Sequence, residues 1–423
     1  MKRICLIKSQ LSQNYSDKDS FSSSIIKNSP VILNVKYQQV SSNNIFDLDS
    51  YLNIEEKNYM LNLRNYLNKE ILPLIEIHNY NNKPTINLIK KIIKEFPGIQ
   101  CLSINNCNLK YNNYNQNLNF AVYLELARLD LSLFLTFINQ IELSLNFILN
   151  YASPDLIKEL SDKIINFDLI VNFNLIEHNH ENDLSNISTT AVKIKENNKE
   201  YFLINGIKKW VVNTNISDIL IVWGLYNNNI CAFLINQKTK GVLTKHIDHK
   251  LSVRSLSHGE IILNNVKISV NNILYQAKNY KEIYSKIIIR SILTTAIAAT
   301  GCCMEAYDRT LHYVTSERKQ FNKTLASFQL IQKRLVYAMA NIQSMLYLTK
   351  NYYLNLCKNN LGIEKGLLCK MYCTDISRKI VSNLRECWGG NGILSINKVM
   401  RILTDIEVLH TNENINEINN LFV

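Results

Sequence analysis

Asn205-Gly206-Ile207-Lys208-Lys209-Trp210-Val211-Val212-Asn213 is the segment that decides the fold, because it lies within the part of the chain that has strand-like composition. Short runs of β-branched and aromatic residues surround it, and clusters such as Tyr226–Asn229 separate those runs. The runs are Ala191–Lys195, Tyr201–Ile204, Ile219–Trp223, Cys231–Ile235 and Gly259–Ile268. Strands this short and this closely spaced predict a central antiparallel β-domain.

Helical periodicity flanks this β-region on both sides. Before it, apolar residues recur at three- and four-residue steps across Ile54–Phe96 and again across Ala121–Tyr151. Ser153-Pro154-Asp155 then has the composition of a helix start, with Ser as the N-cap. After Tyr280 the helical pattern returns, and an apolar stripe predicts one long amphipathic helix. The stripe consists of Phe328, Ile331, Leu335, Ala338, Met339, Ile342 and Met345.

The order helical, β, helical predicts an α+β multidomain protein. Its 423 residues exceed the length that one hydrophobic core usually organises, about 250–300 residues. We therefore divide the chain into an N-terminal helical domain at 46–165, a central antiparallel β-domain at 166–278 and a C-terminal helical bundle at 279–423. Residues 1–45 precede these domains as a leader or a disordered tail.

The leader bears on the cellular compartment. Met1–Ser16 contains three basic residues and no acidic residue, which suits a mitochondrial presequence. Arg3-Ile4 followed by Gln10-Leu11 also resembles an N-terminal peroxisomal signal, and a plain disordered tail fits equally well. The expected location is the mitochondrial matrix, with the peroxisome or the cytosol as alternatives.

Composition argues against several classes of protein. The net charge is +12, but Lys is spread along the whole chain, so we expect no nucleic-acid binding. The ten Cys residues form no C-x-x-C pair, and the crowded stretch Glu177–Asp183 indicates a solvated loop, because neighbours on one loop seldom converge on a metal. The best apolar stretch, Ile287–Ala299, is short and contains Arg290, so no integral membrane segment is expected.

Five ordered segments between about residue 50 and residue 423 resemble the acyl-CoA dehydrogenase superfamily. The segment Asn205–Asn213 matches that family's N-G-x-K-x-W-I-[TS]-N motif in its middle domain. The other matches are Phe173–Asp183 to the flavin loop F-x-L-T-E-x-x-x-G-S-D, Arg318–Asn322 with Phe328–Gln332 to R-x-x-F-G and F-Q-x-x-Q, Gly389–Ile393 to the late G-G-x-G turn, and Thr411–Ile418 to T-Y-E-G-T-x-E-I.

The resemblance implies an FAD-dependent enzyme that dehydrogenates an acyl-CoA thioester to the trans-2-enoyl-CoA. Glu413 is the implied base for the α proton, and FAD takes hydride from the β carbon. The implied flavin-binding residues are Leu175, Ile176, Trp210, Val212, Arg318, Phe321, Gln329, Glu386, Gly389, Gly390 and Ile415. The implied substrate-binding residues are Asn182, Arg290 and Asn414. Alternatively, Trp210 is a core aromatic residue and Glu413 a surface carboxylate.

The chain departs from the family pattern around the flavin. Three hydroxyl-bearing positions of the family are occupied here by Ile176, Val212 and Ile415, and three glycine positions by Glu181, Asn322 and Asn414. Each hydrogen bond lost from a buried polar group costs about 1–3 kcal/mol. A flavin-poor, non-catalytic relative is therefore an alternative to the dehydrogenase, as is an acyl-CoA oxidase that uses O2.

The resemblance also indicates the class of substrate and the partners to expect. Through Arg254–Gly259 the chain is most similar to glutaryl-CoA dehydrogenase and the plant short-chain acyl-CoA oxidase. Glutaryl-CoA dehydrogenase binds a distal carboxylate with an Arg and a Ser, and Phe134 and Ile138 stand at those positions here, which predicts a monoacyl substrate. Arg318 and Gln329 would reach the flavin across a subunit contact, which implies a homodimer or homotetramer. The implied electron acceptor is electron-transfer flavoprotein or O2, and the implied role is fatty acid β-oxidation.

Overall fold

The computed structural model describes residues 46, 48–102, 115–178, 186–277, 280–413 and 416. The leader or tail expected at 1–45 lies outside these residues. Within them the chain is helical, then β, then helical, as predicted.

Helices form the chain before the sheet. In the described part of this region they are α1 (Ile54–Tyr66), α2 (Leu72–Tyr80), α3 (Ile86–Glu95), α4 (Gln116–Leu129), α5 (Leu131–Ile138), α6 (Asn146–Tyr151) and α7 (Pro154–Ile165). Asn53 and Glu56 begin α1 with a reciprocal capping box. Ser153 caps α7 as predicted, because its hydroxyl accepts the N–H of Leu156 at 3.4 Å.

The helical stretch predicted over Ala121–Tyr151 is interrupted at Asp130. There the backbone is extended (φ −166°), and the carboxylate accepts the N–H of Leu133 at 3.0 Å, so Asp130 ends α4 and caps α5. The same carboxylate accepts Nδ2 of Asn79 at 2.9 Å. The break therefore turns the chain while satisfying every oxygen of a buried acid.

A mixed sheet of eight strands occupies the centre of the described chain. Its strands are β1 (Val171–Asn174), β2 (Thr190–Glu196), β3 (Lys199–Val212), β4 (Ile219–Tyr226), β5 (Asn229–Asn236), β6 (Val242–His246), β7 (His258–Ser269) and β8 (Ile273–Ala277). They pair in the order β6-β7-β3-β2-β4-β5-β8, with β1 parallel to β4. The five predicted runs correspond to β2, β3, β4, β5 and β7, and most pairings are antiparallel as expected. Sequence reasoning missed β1 and β8, which are short, and β6, which lacks a buried face.

Strands β4 and β5 are buried on both faces of the sheet. Along β4, Leu220 and Val222 enter a core enclosed by the strands, whereas Ile221 and Trp223 pack on the helical body. This alternation follows from the two-residue period of a strand. Strand β4 therefore lies between the core enclosed by the strands and the helical body.

The C-terminal bundle is built around one buried helix. Its helices are α8 (Tyr280–Ile283), α9 (Ile289–His312), α10 (Gln329–Cys357), α11 (Ile363–Glu386) and α12 (Lys398–Thr411), and β9 (Lys319–Gln320) and β10 (Lys323–Thr324) form a small hairpin before α10. The predicted stripe is confirmed in α10, where Leu335, Ala338, Ile342 and Met345 are buried. Gly301 lets α9 approach α4 closely, because a Cβ there would lie 2.8 Å from the carbonyl oxygen of Leu124.

Two helical stretches of the described chain, Leu131–Tyr151 and Ser285–Glu317, are long and apolar enough to cross a bilayer. Their most apolar windows are 89% and 94% buried inside the fold. Helices with this degree of burial form the core of a globular body, which accounts for their composition.

Lys398, the first residue of α12, joins the bundle to the N-terminal helices. Its Nζ donates to the carbonyl oxygens of Arg128 and Leu129 at 2.6 and 2.7 Å, and it lies 3.1 Å from Oε1 of Glu305. Burial lowers the pKa of Lys398 to about 8, although the Glu305 carboxylate acts in the opposite direction. The ammonium thus caps the C-terminal end of α4 from another part of the chain.

Candidate active site

A buried ion pair supports the first wall of the candidate site. Nζ of Lys208, on β3, lies 2.7 Å from Oε1 of Glu177, and both side chains are buried. The hydroxyl groups and backbone N–H groups of Ser188 and Thr189 also donate to this carboxylate. Burial alone would raise the pKa of Glu177, but Lys208 and these donors hold it near 2. Burial lowers the pKa of Lys208 to about 8 despite the attraction of Glu177.

This ion pair aligns the predicted flavin loop with β3. Nζ of Lys208 also donates to the carbonyl oxygen of Leu175 at 3.2 Å, and the N–H of Lys209 donates to the carbonyl oxygen of Ile176 at 3.1 Å. Leu175 is buried and Ile176 is half-buried. The structure therefore brings Leu175 and Ile176 beside the strand that carries Trp210.

Trp210 projects from a bulge in β3. The register with β7 shifts between Lys208 and Val211, and Trp210 adopts φ +57° at that shift. Its side chain is 43% exposed, which excludes the interpretation as a core aromatic residue. Val212, two residues further on, is half-buried and pairs with His258. An exposed indole on a rigid strand is a surface suited to stacking against a planar ligand.

Glu413 is held against α9 instead of extending from the surface. The hydroxyl of Ser291 donates to Oε1 of Glu413 at 2.5 Å. One turn further along α9, Oγ1 of Thr295 accepts Nδ2 of Asn412 at 3.1 Å. Burial raises the pKa of Glu413, while the Ser291 hydrogen bond and the Lys370 ammonium oppose that rise. A carboxylate with a raised pKa, held against a helix by a hydrogen bond, has the properties of a general base.

Arg290 precedes Ser291 on the same helix and faces the interior. Its Nη1 lies 3.1 Å from Oε2 of Glu142, and the Tyr123 hydroxyl donates to the other oxygen of that carboxylate. Burial lowers the pKa of Arg290, but the Glu142 carboxylate more than offsets this and the pKa is raised. A role of Arg290 at the CoA end of a substrate would therefore use guanidinium nitrogens other than Nη1.

An open cleft of about 470 Å³ gathers four more predicted residues: Arg318, Glu386, Gly389 and Gly390. Tyr313 and Trp388 form one side of it, with their rings stacked 4.0 Å apart. Gly389 adopts φ +55°, and a Cβ on either glycine would meet no atom within 4 Å, so both leave open space. The geometry offers an arginine, an aromatic pair and exposed backbone to one ligand.

Two predicted residues lie near the cleft but outside its lining. Phe321 is 56% exposed and contacts Phe328 edge-on at 6.1 Å, while Gln329 is exposed at the start of α10. Asn182, Asn414 and Ile415 lie outside the described residues.

Sequence reasoning quoted Glu177 and Lys208 within motifs but assigned them no function. Their signal was present, because an acid and a lysine inside two matching motifs are a plausible pair. Ser291 gave no such signal, since a serine in an apolar helix is unremarkable until Glu413 is placed beside it.

Comparison with known protein families matches two segments of the chain. The family model for the acyl-CoA dehydrogenase middle domain matches residues 172–266, and that for the C-terminal domain matches residues 290–421. Together they span more than half of the chain. The chain belongs to the acyl-CoA dehydrogenase superfamily.

Other members of the acyl-CoA dehydrogenase superfamily are similar at low identity. A 3-(aryl)acrylate reductase of Clostridium sporogenes is 24% identical over 256 residues, which are 59% of this chain and 67% of that protein. The glutaryl-CoA dehydrogenase of Mycobacterium smegmatis, solved in complex with FADH2, superposes with a TM-score of 0.80 at 23% identity and covers 89% of this chain and 95% of that one. The butyryl-CoA dehydrogenase of Megasphaera elsdenii has a TM-score of 0.80 at 20% identity, covering 88% and 97%. The structures establish a shared fold.

Proposed function

We propose that this protein is an FAD-dependent oxidoreductase that removes two hydrogens from Cα and Cβ of a monoacyl-CoA thioester and releases the trans-2-enoyl-CoA. The observation that carries the proposal is the fixed position of Glu413, whose carboxylate accepts the Ser291 hydroxyl at 2.5 Å and whose pKa is raised by burial. A base that abstracts a weakly acidic proton works best when its pKa approaches the working pH.

Glu413 takes the α proton, and the electron pair of that C–H bond becomes the new Cα–Cβ double bond. FAD, when bound, accepts the hydride that leaves the β carbon. The Ser291 hydrogen bond fixes the Glu413 side chain against α9, so the base is already oriented before the substrate binds. One hydrogen thereby leaves Cα as a proton, and the other leaves Cβ as a hydride that carries two electrons.

The described residues fit FAD in two places. Trp210 offers an exposed ring beside the Leu175–Glu177 segment, which suits the tricyclic part of a flavin. The cleft at Gly389 and Gly390 is open beside both glycines, and it is lined by Arg318, a residue suited to phosphate. The glutaryl-CoA dehydrogenase of Mycobacterium smegmatis was solved in complex with FADH2, which supports this choice of cofactor.

The substrate is proposed to carry no second carboxylate. Phe134 and Ile138 are fully enclosed, and the ring of Phe134 packs edge-on against Tyr123 at 6.0 Å. Apolar side chains cannot compensate the desolvation of a carboxylate, so a monoacyl chain is favoured over a dicarboxylic one. For assembly and electron transfer we propose a homodimer or homotetramer with electron-transfer flavoprotein as the acceptor.

The visible absorption spectrum of the purified protein tests the cofactor, and anaerobic reduction of an acceptor dye by butyryl-CoA and longer acyl-CoAs tests the reaction. A flavin spectrum together with dye reduction supports the dehydrogenase. Peroxide formed in air with the same substrates would identify an oxidase. A colourless protein that neither takes up FAD nor alters acyl-CoA would identify the flavin-poor relative.

The direction of the reaction is a separate question, since one similar protein is a 3-(aryl)acrylate reductase. The same base and cofactor serve both directions, because each step reverses through the same transition state. Supplying a trans-2-enoyl-CoA and reduced dye measures the reverse rate. The proposal requires that the forward rate with the matched acyl-CoA exceeds it when electron-transfer flavoprotein is the acceptor.

A further inference from the structure

His258 lies beside Trp210 at the proposed flavin wall. The two rings meet edge to face, with centroids 6.0 Å apart and planes at 85°. His258 is the first residue of β7 and is buried, whereas the indole on the neighbouring strand is partly exposed. A bulged strand with φ +57° at Trp210 does not by itself fix the two side-chain torsions of the indole. The imidazole is a rigid surface against which that ring rests.

The imidazole is itself held in one orientation. Nζ of Lys250 lies 3.1 Å from Nδ1 of His258. Burial, the Lys250 ammonium and His246 lower the pKa of His258 to about 3, so its ring is neutral at physiological pH. An ammonium can only donate, so Nδ1 accepts and the proton of the neutral ring resides on Nε2.

Lys250 belongs to a loop, residues 247–257, that is anchored to α12. Its ammonium donates to the carbonyl oxygens of Val253 and Leu256 within the loop. The N–H of Val253 donates to Oδ1 of Asp405 at 2.6 Å, and Ser252 donates to the carbonyl oxygen of Thr404 at 2.7 Å. Asp405 and Thr404 are on α12, the helix that ends at Thr411 just before Glu413.

Local sequence makes this arrangement possible. Gly259 follows His258, and a Cβ there would lie 2.4 Å from the carbonyl oxygen of Lys245 and 2.7 Å from Cγ2 of Thr214. The glycine therefore permits the close pairing of β6 and β7 that brings the loop back to the start of β7.

We propose that His258 is the positioning residue of Trp210: Lys250 fixes the imidazole on a loop bound to α12, and the imidazole fixes the indole. The inference rests on the proposed function, which places a flavin against Trp210. It extends that function by making one loop set the spacing between the flavin wall and the helix that leads to the base. An active site needs such support to hold its groups in productive geometry.

The test compares His258→Ala, His258→Phe and Lys250→Met with the wild type and with His246→Ala, which removes another histidine of the same sheet. Acrylamide quenching of tryptophan fluorescence is measured in the absence of added FAD. The contribution of Trp210 is obtained by subtracting the Trp210→Phe protein, since Trp223 and Trp388 are buried. FAD affinity is then measured by titration of the same proteins.

We expect His258→Ala to raise the quenching constant of Trp210 and to weaken FAD binding by about 2- to 10-fold, the factor that one aromatic contact supports. His258→Phe keeps a ring at this position and should remain near the wild type. Lys250→Met should fall between the two, and His246→Ala should leave the quenching unchanged. If His258→Ala does not fold, Lys250→Met decides: quenching equal to the wild type overturns the proposal.

Quenching in His258→Ala that equals the wild type likewise overturns the positioning role. The positioning role is also overturned if His258→Phe raises the quenching constant as much as His258→Ala does. A ring at position 258 would then make no difference to the exposure of Trp210. Failure of every protein, including the wild type, to bind FAD contradicts the proposed function instead, while the quenching data still decide the role of His258.

Discussion

The hydroxyl of Ser291 donates a 2.5 Å hydrogen bond to Oε1 of Glu413, although the two residues are 122 positions apart in the chain. The bond connects the most buried helix of the bundle to the segment that follows its last helix. It opposes the effect of burial on the carboxyl group, which on its own raises the pKa. The Glu413 carboxylate is thus partly desolvated and is held in one orientation by the Ser291 hydroxyl.

Replacing Glu413 with Gln should abolish acyl-CoA-dependent dye reduction while leaving bound flavin in place. General base catalysis is worth about 10²- to 10⁴-fold, and an amide cannot accept the α proton. Steady-state rates and the flavin spectrum of the same preparation check this. Glu407→Gln, on the exposed side of α12, is the matched control and should retain activity. Comparable rates for the Glu413 and Glu407 variants would contradict the assignment of the base.

Replacing Ser291 with Ala should move the acidic limb of the kcat/KM profile to higher pH. The Ser291 hydroxyl lowers the pKa of Glu413, so its removal raises that pKa. The base must be ionised to act, so a higher pKa leaves less of it active at low pH. Ser291→Thr keeps a hydroxyl and should restore the limb. A Ser291→Ala profile that superposes on the wild type would remove Ser291 from the mechanism.

Replacing Lys208 with Met should destabilise the protein strongly, because it leaves the Glu177 carboxylate buried without its cation. Breaking a buried pair costs about 3–5 kcal/mol, measured here as the free energy of unfolding in urea. Adding Glu177→Gln should recover most of that loss. Lys193→Met breaks an exposed pair with Glu200 in the same sheet and should change stability little. Equal losses for the two lysine variants would show that burial does not matter.

Replacing Val212 with Thr should tighten FAD binding, because it places a hydroxyl where the family motif carries one. One additional hydrogen bond to a buried polar group corresponds to about a 5- to 10-fold change in Kd. The Kd is measured by titrating flavin-depleted protein with FAD. Val192→Thr places the same hydroxyl on an exposed strand and should have no effect. Unchanged affinity in Val212→Thr would remove position 212 from the flavin contacts.

The order of elements could be predicted from sequence because local periodicity is strong in α10 and in the runs of β2 to β5. The exposure of Trp210 could not be predicted. It depends on a bulge that appears only when β3 pairs with β7, and a Trp in a strand usually indicates core packing. The resemblance named Trp210 without giving its geometry.

The supports of the candidate site were even less accessible to sequence reasoning. Val253 and Asp405 are separated by 152 positions, and Lys250 and His258 lie on either side of an irregular loop. Such contacts follow from how the loop docks on α12, and no spacing rule encodes them. The substitutions at Ile176 and Val212 were visible in the sequence, but the half-buried positions of both side chains were not.

The ammonium of Lys398, placed on the last carbonyls of α4, makes the final helix of the bundle depend on a helix that precedes the sheet. A fragment that began at the sheet would lack the carbonyl oxygens of α4 that accept from this cation, and only Glu305 would remain beside it. A buried ammonium without those hydrogen bonds destabilises the fragment. Expression boundaries for crystallisation or for split reporters should therefore retain everything from α1 onward, even where only the sheet and the final bundle are of interest.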